Sequence, residues 1–381
     1  LATIAILSSM VLVTLVGAAS IYAGKKDYLV SAAPHDYSVS GNKVDLTSTK
    51  KLMDDFLIKT GEQANEEVAV SYLLFGIKNQ ETNKLTVFTK NERKVVPKSI
   101  VLVFSQETFK QLTGKELNLS SNQIALYTKN KTLKTQKSLS IDGKNYQIHR
   151  QLGDFINKKV PNIYKIIVSD YSYLVVPDIK IFESSMKGTS IAQATYVGVN
   201  VKDPTHDAKK NSDLLDQMTD KATQQLAGQT TGVPESYFSA NSRYDAEGMV
   251  NGFVGGTFFI GIFLSIIFML GTVLVIYYKQ ISEGYEDRER FVILQKIGLD
   301  DLQVKQTIRK QVLTVFFLPL IFAFIHLAFA YHMISLIVRI IGVLNPDLML
   351  VVTIIVCGVF FLAYVLVFAL TSRSYRRIVS M

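Results

Sequence analysis

The chain has 381 residues, of which 48% are apolar and 19% are charged, and its formal net charge at pH 7 is +9. Its single cysteine, Cys357, excludes a disulfide within the chain. The distribution of apolar residues excludes an ordinary soluble protein, because they are concentrated in four uncharged runs, at residues 1–24, 249–278, 311–338 and 348–370.

Each of these runs is long enough to cross a hydrocarbon core of ~30 Å as a helix, which takes about 20 residues. They predict an α-helical integral membrane protein with four transmembrane helices. The first run begins at Leu1 without a Met or a basic flank, unlike a secretory signal. We therefore expect the chain to be the C-terminal part of a longer protein.

Four spans place residues 279–310 and the tail 371–381 on one side of the membrane, and residues 25–248 and the short hairpin 339–347 on the other. The segment 279–310 carries seven Lys or Arg, whereas the hairpin has only Arg339. Since basic residues close to spans mark the cytoplasmic side, we expect 279–310 and 371–381 in the cytoplasm and 25–248 outside the cell. The lone cysteine favours a Gram-positive envelope.

Residues 25–248 predict a large mixed α/β extracellular domain between the first and second spans. Asp142-Gly143 predicts a hairpin with a type I′ turn between strands at 138–141 and 144–148. A Gly/Ser/Thr-rich stretch, 228–241, predicts a connector to the membrane. Further strands are predicted at 68–75, 85–88, 99–104, 164–168 and 173–176, and helices at 48–60, 106–112 and 207–226.

Catalytic and metal-binding patterns are absent from the sequence of this domain. His149 and His206 each lack a Cys or a second His at metal-ligand spacing, and no Gly-x-Ser-x-Gly occurs. Lys-rich stretches at 129–137 and 158–159 have two interpretations: they attract anionic headgroups or pyrophosphates, or they are a solvated surface beside an anionic membrane. We expect no cofactor, no metal and no nucleic-acid partner.

The second apolar run contains two pairs of small residues at the spacing that lets helices approach closely, Gly252 with Gly256 and Gly261 with Ser265. These pairs predict either a sliding or dimerising helix or ordinary packing within one bundle. None of the four runs contains Asp, Glu, Lys or Arg. The runs therefore argue against an ion channel or an ion-coupled carrier.

The charged segment 279–310 has a helical pattern, with Phe291, Leu294 and Ile297 on one side of the helix. Gly298 can end this helix, and Asp300 can cap a second helix that leads into the third span. The pattern predicts a helix, a sharp turn and a helix into the membrane. Such a segment is either a coupling helix for a cytoplasmic motor or a connector held at the headgroup boundary.

The residues around this segment resemble a known family. The sequences VIYYKQISEGYEDRERF at 275–291, LQKIGL at 294–299 and FFLPL at 316–320, with His326, resemble the C-terminal half of FtsX-like ABC transporter permeases, closest to the bacitracin-resistance type of Firmicutes. Permeases of that type have ten spans, so six would lie upstream. The ATPase-coupling residues that the resemblance implies are Glu283, Glu286, Arg288, Arg290, Phe291, Leu294 and Gly298.

The resemblance implies a non-catalytic permease whose partner is a separate cytoplasmic ABC ATPase subunit, which binds the ATP. Such a permease transmits ATPase-driven motion to the outer domain, for peptide-antibiotic resistance and sensing at lipid-linked cell-wall precursors, and a membrane histidine kinase is a second partner. Two other interpretations stay open: a lipoprotein-releasing or cell-division-type FtsX-like permease and, from another class, a membrane-anchored receptor. All of them predict a multi-pass protein of the cell membrane.

Overall fold

The computed structural model describes residues 1–92, 97, 99–156, 159–161, 168, 170–227, 235–296, 301–340 and 345–379. The chain divides into two compact units. We call Leu1–Tyr28 with Val250–Met381 the helical unit, and Leu29–Met249 the mixed unit.

The elements are, in chain order, α1 (Ala2–Ala23), α2 (Lys25–Ala32), β1 (Tyr37–Asn42), α3 (Leu46–Thr60), β2 (Ala64–Glu81), β3 (Lys84–Val87), β4 (Ser99–Ser105), α4 (Gln106–Thr113), β5 (Gln123–Thr128), α5 (Lys131–Lys134), β6 (Ser138–Ile141), β7 (Lys144–Gln151), β8 (Asp170–Val176), α6 (Ile179–Ser185), β9 (Ile191–Val201), α7 (Ala208–Ala227), β10 (Tyr237–Ser242), α8 (Arg243–Lys296), α9 (Asp301–Ile340) and α10 (Pro346–Val379).

In the described part of the chain, four helices are long and apolar enough to cross a membrane, with candidate spans at Ala2–Ala23, Arg243–Glu286, Phe316–Arg339 and Pro346–Thr371. They coincide with the four apolar runs of the sequence and fit a helical membrane protein. Three of the helices continue well beyond their apolar runs. The longest, α8, has 54 residues, which at 1.5 Å per residue gives a length of about 80 Å, more than twice a ~30 Å hydrocarbon core.

Seven strands of the mixed unit form a closed ring of pairings. The order is β2, β3, β6, β7, β5, β8, β4 and back to β2. Closing a sheet on itself removes its unpaired edges. Alternate residues of these strands point inward, and the buried core contains Leu73, Phe75, Val101, Val103, Ile124, Leu126, Leu139, Ile141, Leu174 and Val176. The ring is therefore a small barrel with a filled interior.

Short helices contribute to the same core. Leu133 of α5 and Phe182 of α6 pack into it, each almost fully buried. Phe182 lies 6.3 Å from Phe75 and 5.8 Å from Tyr146, measured between ring centroids. The side chain of Asp178 caps α6 by accepting hydrogen bonds from the amides of Lys180 and Ile181.

Strand β2 also belongs to a second, open sheet of order β10, β1, β9, β2. Its first twelve residues, except Asn65 at a bulge, pair with β9, from Ala64 opposite Val201 to Phe75 opposite Ile191. Helices α3 and α7 cover this sheet, with Met53 and Phe56 of α3 and Leu215 of α7 in its buried core. Asp45 caps α3, and Gly61 ends it with φ +72°, a left-handed conformation that glycine adopts without strain.

Several sequence predictions can be compared with these elements. The hairpin is confirmed: β6 pairs with β7, and Asp142 and Gly143 both have positive φ, as a type I′ turn requires. The connector at 228–241 is partly wrong, because residues 237–241 belong to the edge strand β10. The strand predicted at 164–168 falls almost entirely outside the described residues. The sequence patterns missed β1, β5, β9 and β10.

Candidate functional sites

The predicted ATPase-coupling residues lie on one continuous helix up to residue 296. Helix α8 runs through the segment to Lys296, and α9 begins at Asp301. The side chains of Glu286 and Arg288 are exposed on α8, so a soluble partner can reach them. Of the other predicted residues, the structure describes the helical backbone of Glu283, Arg290, Phe291 and Leu294, while Ile297, Gly298 and Asp300 lie outside the described residues.

The second small-residue pair of α8 packs against α1. A Cβ added to Gly261 would overlap the Cβ of Ala18, so the two backbones can approach only because residue 261 is glycine. One turn further along α8, the hydroxyls of Ser265 and Thr14 lie 2.7 Å apart. The Ser265 hydroxyl also lies 2.7 Å from the carbonyl oxygen of Gly261, to which it can donate.

The α1–α8 contact continues in both directions. The ring of Tyr22 stacks on Phe258 with centroids 4.6 Å apart, and Leu7 lies beside Gly271. Residue numbers rise along α1 as they fall along α8, so the two helices are antiparallel. The first pair does not share this contact, because a Cβ at Gly252 or Gly256 would meet nothing within 4 Å in the described chain.

Helices α9 and α10 are joined by an aromatic cluster. The Tyr364 hydroxyl donates to the carbonyl oxygen of Phe316 at 2.9 Å. The ring of Phe316 also packs edge-on against Phe368, with centroids 4.6 Å apart. A hydrogen bond between two apolar helices fixes their register, because the donor would otherwise be left unpaired in an apolar surrounding.

A polar cluster joins the two ends of the mixed unit. We call Asp36, Arg243 and the groups that they contact the junction cluster. Arg243 Nη1 lies 2.6 Å from Asp36 Oδ1, and Arg243 Nη2 donates to the carbonyl oxygen of Pro34 at 2.6 Å. The second carboxylate oxygen, Asp36 Oδ2, accepts from the Val201 amide at 3.0 Å. The cluster thus joins the segment before β1, the end of β9 and the first residue of α8.

A second buried pair lies next to this cluster. His35 Nδ1 is 2.7 Å from the Tyr196 hydroxyl, and both residues are almost fully buried. Gly198 leaves the space that they occupy, since a Cβ there would lie 2.5 Å from each of these two atoms. Burial lowers the pKa of His35 below its ordinary value of 6.5, and the neighbouring Arg243 acts in the same direction, while Glu66 and Asp36 oppose it.

The first turn of α8 is capped from its other side. The Ser242 hydroxyl accepts from the Asp245 amide at 3.1 Å and donates to the Asp245 carboxylate at 2.8 Å. Ser212 of α7 donates to the same carboxylate. Asp245 is an acid in the first helical turn, where it interacts favourably with the helix dipole. The start of α8 is therefore held by β10 and α7 as well as by the junction cluster.

No cluster of three or more His, Cys, Asp or Glu in the described chain could hold a metal ion. His149 is exposed on β7. In the Lys-rich stretches, the Lys129 ammonium lies 5.3 Å from the centroid of the Tyr171 ring, while Lys158 lies outside the described residues.

The junction cluster has no local signature in the sequence. Asp36 and Arg243 are 207 positions apart, and neither stands in a recognisable motif. The one available signal is that Arg243 opens a long helix, where a positive charge opposes the helix dipole. Such a residue needs a carboxylate nearby, but the sequence does not say which of its 32 acids provides it.

Comparison with known proteins gives partial matches. Over 72 residues the chain is 36% identical to the ABC transporter permease protein YxdM of Bacillus subtilis, covering 19% of this chain and 12% of that protein. It is 30% identical over 121 residues to the uncharacterized ABC transporter permease YvcS of the same organism, covering 32% and 18%. It is 28% identical over 140 residues to the bacitracin export permease protein BceB, also of B. subtilis, covering 37% and 19%.

The matched stretches thus span less than a fifth of the length of each relative. No family model matches the chain. A crystal structure titled as a putative lipoprotein from Bacillus anthracis is 13% identical to this chain, covering 46% of this chain and 92% of its own, with a TM-score of 0.25. The three partial matches support an ABC transporter permease family and, with the four apolar helices, a multi-pass membrane protein.

Proposed function

We propose that this chain is part of the permease subunit of an ATP-driven ABC transporter, in which motion of a cytoplasmic ATPase reaches an extracellular domain. The observation that carries the proposal is helix α8. It leads without a break from Arg243, beside the edge strand β10, to Lys296, beyond the exposed charges of Glu286 and Arg288. At about 80 Å, it exceeds the membrane thickness by more than 30 Å.

A continuous helix of this kind suits the transmission of motion. Its hydrogen bonds run along the axis, so it resists stretching and compression. Charged residues at 279–296 cannot lie in hydrocarbon and suit a contact with a soluble protein. The chain itself has no Gly-x-x-x-x-Gly-Lys-Ser/Thr phosphate loop. ATP binding and hydrolysis therefore belong, in this proposal, to a separate subunit that contacts Glu283–Gly298.

For the substrate we propose peptide antibiotics that act at lipid-linked cell-wall precursors. The similarity to a bacitracin export permease supports this class. The mixed unit would then lie outside the cell, where such antibiotics bind, and a membrane histidine kinase would be a further partner for sensing. A receptor that is merely anchored in the membrane would need no ATPase, so the presence of that partner separates the two classes.

The proposal is tested by reversing charges in the predicted coupling segment of α8, where Glu286 and Arg288 are exposed. The variants Glu286→Lys and Arg288→Glu, alone and together with Arg290→Glu, are made in the complete gene product and expressed in its native host. We expect loss of co-purification with an ABC ATPase and a fall in bacitracin resistance, each by at least about tenfold if contacts worth ~1.4 kcal/mol are removed. Lys310→Glu, exposed on α9, is the matched control and should change neither. Full retention of both properties in the triple variant would overturn the proposal.

A further inference from the structure

The junction cluster lies where the chain enters and leaves the mixed unit. The segment from Ala32 to Asp36 leads into β1, and α8 starts at the opposite end of the unit's sequence with Arg243. Building on the proposed function, we propose that Asp36 is a positioning residue that locks the first turn of α8 to the β1–β9 sheet, so that displacement of the helix reaches the sheet.

Asp36 forms hydrogen bonds through its backbone amide, its backbone carbonyl and both of its carboxylate oxygens. Its backbone amide donates to Asn200 Oδ1 at 3.1 Å, and its backbone carbonyl accepts from the Arg243 amide at 2.8 Å. Its two carboxylate oxygens take separate partners, the Arg243 guanidinium and the Val201 amide. The residue is only 5% exposed. Hydrogen bonds to a buried charged group are the strong ones, and here they join three chain segments through one side chain.

Two further bonds run between the same segments. Arg243 Nη2 donates to the Pro34 carbonyl, and Asn241 Nδ2 donates to the Ala32 carbonyl at 3.0 Å. Both tie the end of β10 and the start of α8 to the chain that precedes β1. Asp36 extends this tie to β9, through its carboxylate on the Val201 amide and its own amide on the Asn200 side chain. If the Asp36 carboxylate is removed, the Arg243 guanidinium keeps one described partner, the Pro34 carbonyl.

The position of Arg243 favours a role in connecting α8 to the sheet over a role in stabilising α8 itself. An arginine in the first turn of a helix faces the positive end of the helix dipole, so it does not stabilise α8 by itself. Its fork geometry instead allows separate contacts with a carboxylate and a carbonyl. The helix start already has its own cap in Ser242 and Asp245. The Asp36–Arg243 pair therefore holds the first turn of α8 in place relative to the sheet.

The test measures hydrogen–deuterium exchange in the complete permease with its ATPase in lipid nanodiscs, with and without ATP. In the wild type we expect ATP to change exchange both in α8 beyond residue 283 and in β1 and β9. Asp36→Ala should keep the change in α8 and lose at least half of it in β1 and β9. Glu67→Gln, which breaks the exposed Lys50–Glu67 pair on the same sheet, should keep both. If Asp36→Ala reduces folded protein, Asp36→Asn, which can still accept from Val201, replaces it.

The outcomes separate this inference from the proposed function. An undiminished ATP effect on β1 and β9 in Asp36→Ala overturns the positioning role and leaves the permease function standing. A wild type that binds no ATPase and shows no ATP effect overturns the proposed function and, with it, any role of Asp36 in transmission. A selective loss in the sheet, with ATPase association unchanged, supports both, since a merely structural defect would lower the two responses together.

Discussion

Gly261 of α8 lies against Ala18 of α1 so closely that no side chain fits between them. The two small residues form the point of closest approach of the antiparallel α1–α8 pair. The Thr14–Ser265 contact follows one turn along α8. Two glycine-containing pairs with the same spacing thus have different environments, and substitutions can tell them apart.

Gly261→Leu is expected to destabilise the helical unit, because the added side chain must push α1 and α8 apart, an overpacking that costs about 1–3 kcal/mol. Gly256→Leu is the matched control, since the described chain offers no contact there. Thermal unfolding of the purified complete protein in nanodiscs measures both. Equal destabilisation by the two variants would contradict the assignment and would reveal a further helix covering Gly256.

Phe182→Ala is expected to destabilise the mixed unit by about 3–5 kcal/mol, the usual cost of deleting a buried aromatic side chain. The neighbouring Ile181 is 66% exposed, so Ile181→Ala should change the free energy of unfolding by no more than about 0.5 kcal/mol. Chemical denaturation of both variants decides whether α6 closes the barrel core. If Phe182→Ala were as mild as its neighbour, the packing of α6 against Phe75 would be wrong.

Gly198→Ala is expected to break the His35–Tyr196 hydrogen bond, because the new methyl group would lie 2.5 Å from both bonded atoms. The cost should be about 1–3 kcal/mol, as for overpacking elsewhere in protein cores. Gly153→Ala, with nothing within 4 Å of the added methyl group, should be close to neutral. Calorimetric unfolding of the two variants provides the comparison, and a neutral Gly198→Ala would show that His35 can move aside freely.

The free energy of unfolding of the mixed unit is expected to decrease as pH is lowered, because His35 is protonated more readily in the unfolded chain. Its pKa is lowered in the folded state, mainly by burial, so the unfolded chain binds the proton more readily. The free energy of unfolding therefore decreases as pH falls below about 6.5, until the folded-state pKa has also been passed. Calorimetry from about pH 7.5 to about pH 5 should show a smaller decrease for His35→Gln.

His149→Gln is the control for that experiment, since His149 is exposed on β7. This variant should retain the full pH dependence of the wild type. An unchanged pH dependence in His35→Gln would mean that other groups carry it, and the contribution assigned to His35 would be wrong.

The sequence predicts what depends on neighbours along the chain. Uncharged runs mark the four long helices, and Asp142-Gly143 marks the β6–β7 hairpin, because the turn needs positive φ at two successive residues. The small-residue pairs predict close helix packing, but their pattern does not say which pair finds a partner or which helix provides it. Gly261 and Gly252 differ only in what lies opposite them.

Contacts between distant residues were not predictable. Strand β9 was missed although it is the longest partner of β2, because Ala194, Gln193 and Gly198 dilute its strand pattern. The edge strand β10 reads as a linker, since its Ser, Ala and Asn residues have low strand propensity. The Asp36–Arg243 pair follows from the pairing of β1 with β9 and β10, which no local pattern contains.

The double role of β2 has a consequence for the order of folding. Its later residues pair with β3 and β4, which follow closely in the sequence. Its earlier residues pair with β9, which follows all the barrel strands in the sequence. Closing that long loop is entropically less costly once the intervening chain is compact. We therefore expect the barrel to form first, during synthesis, and the open sheet to assemble on it only when β9 and β10 have emerged.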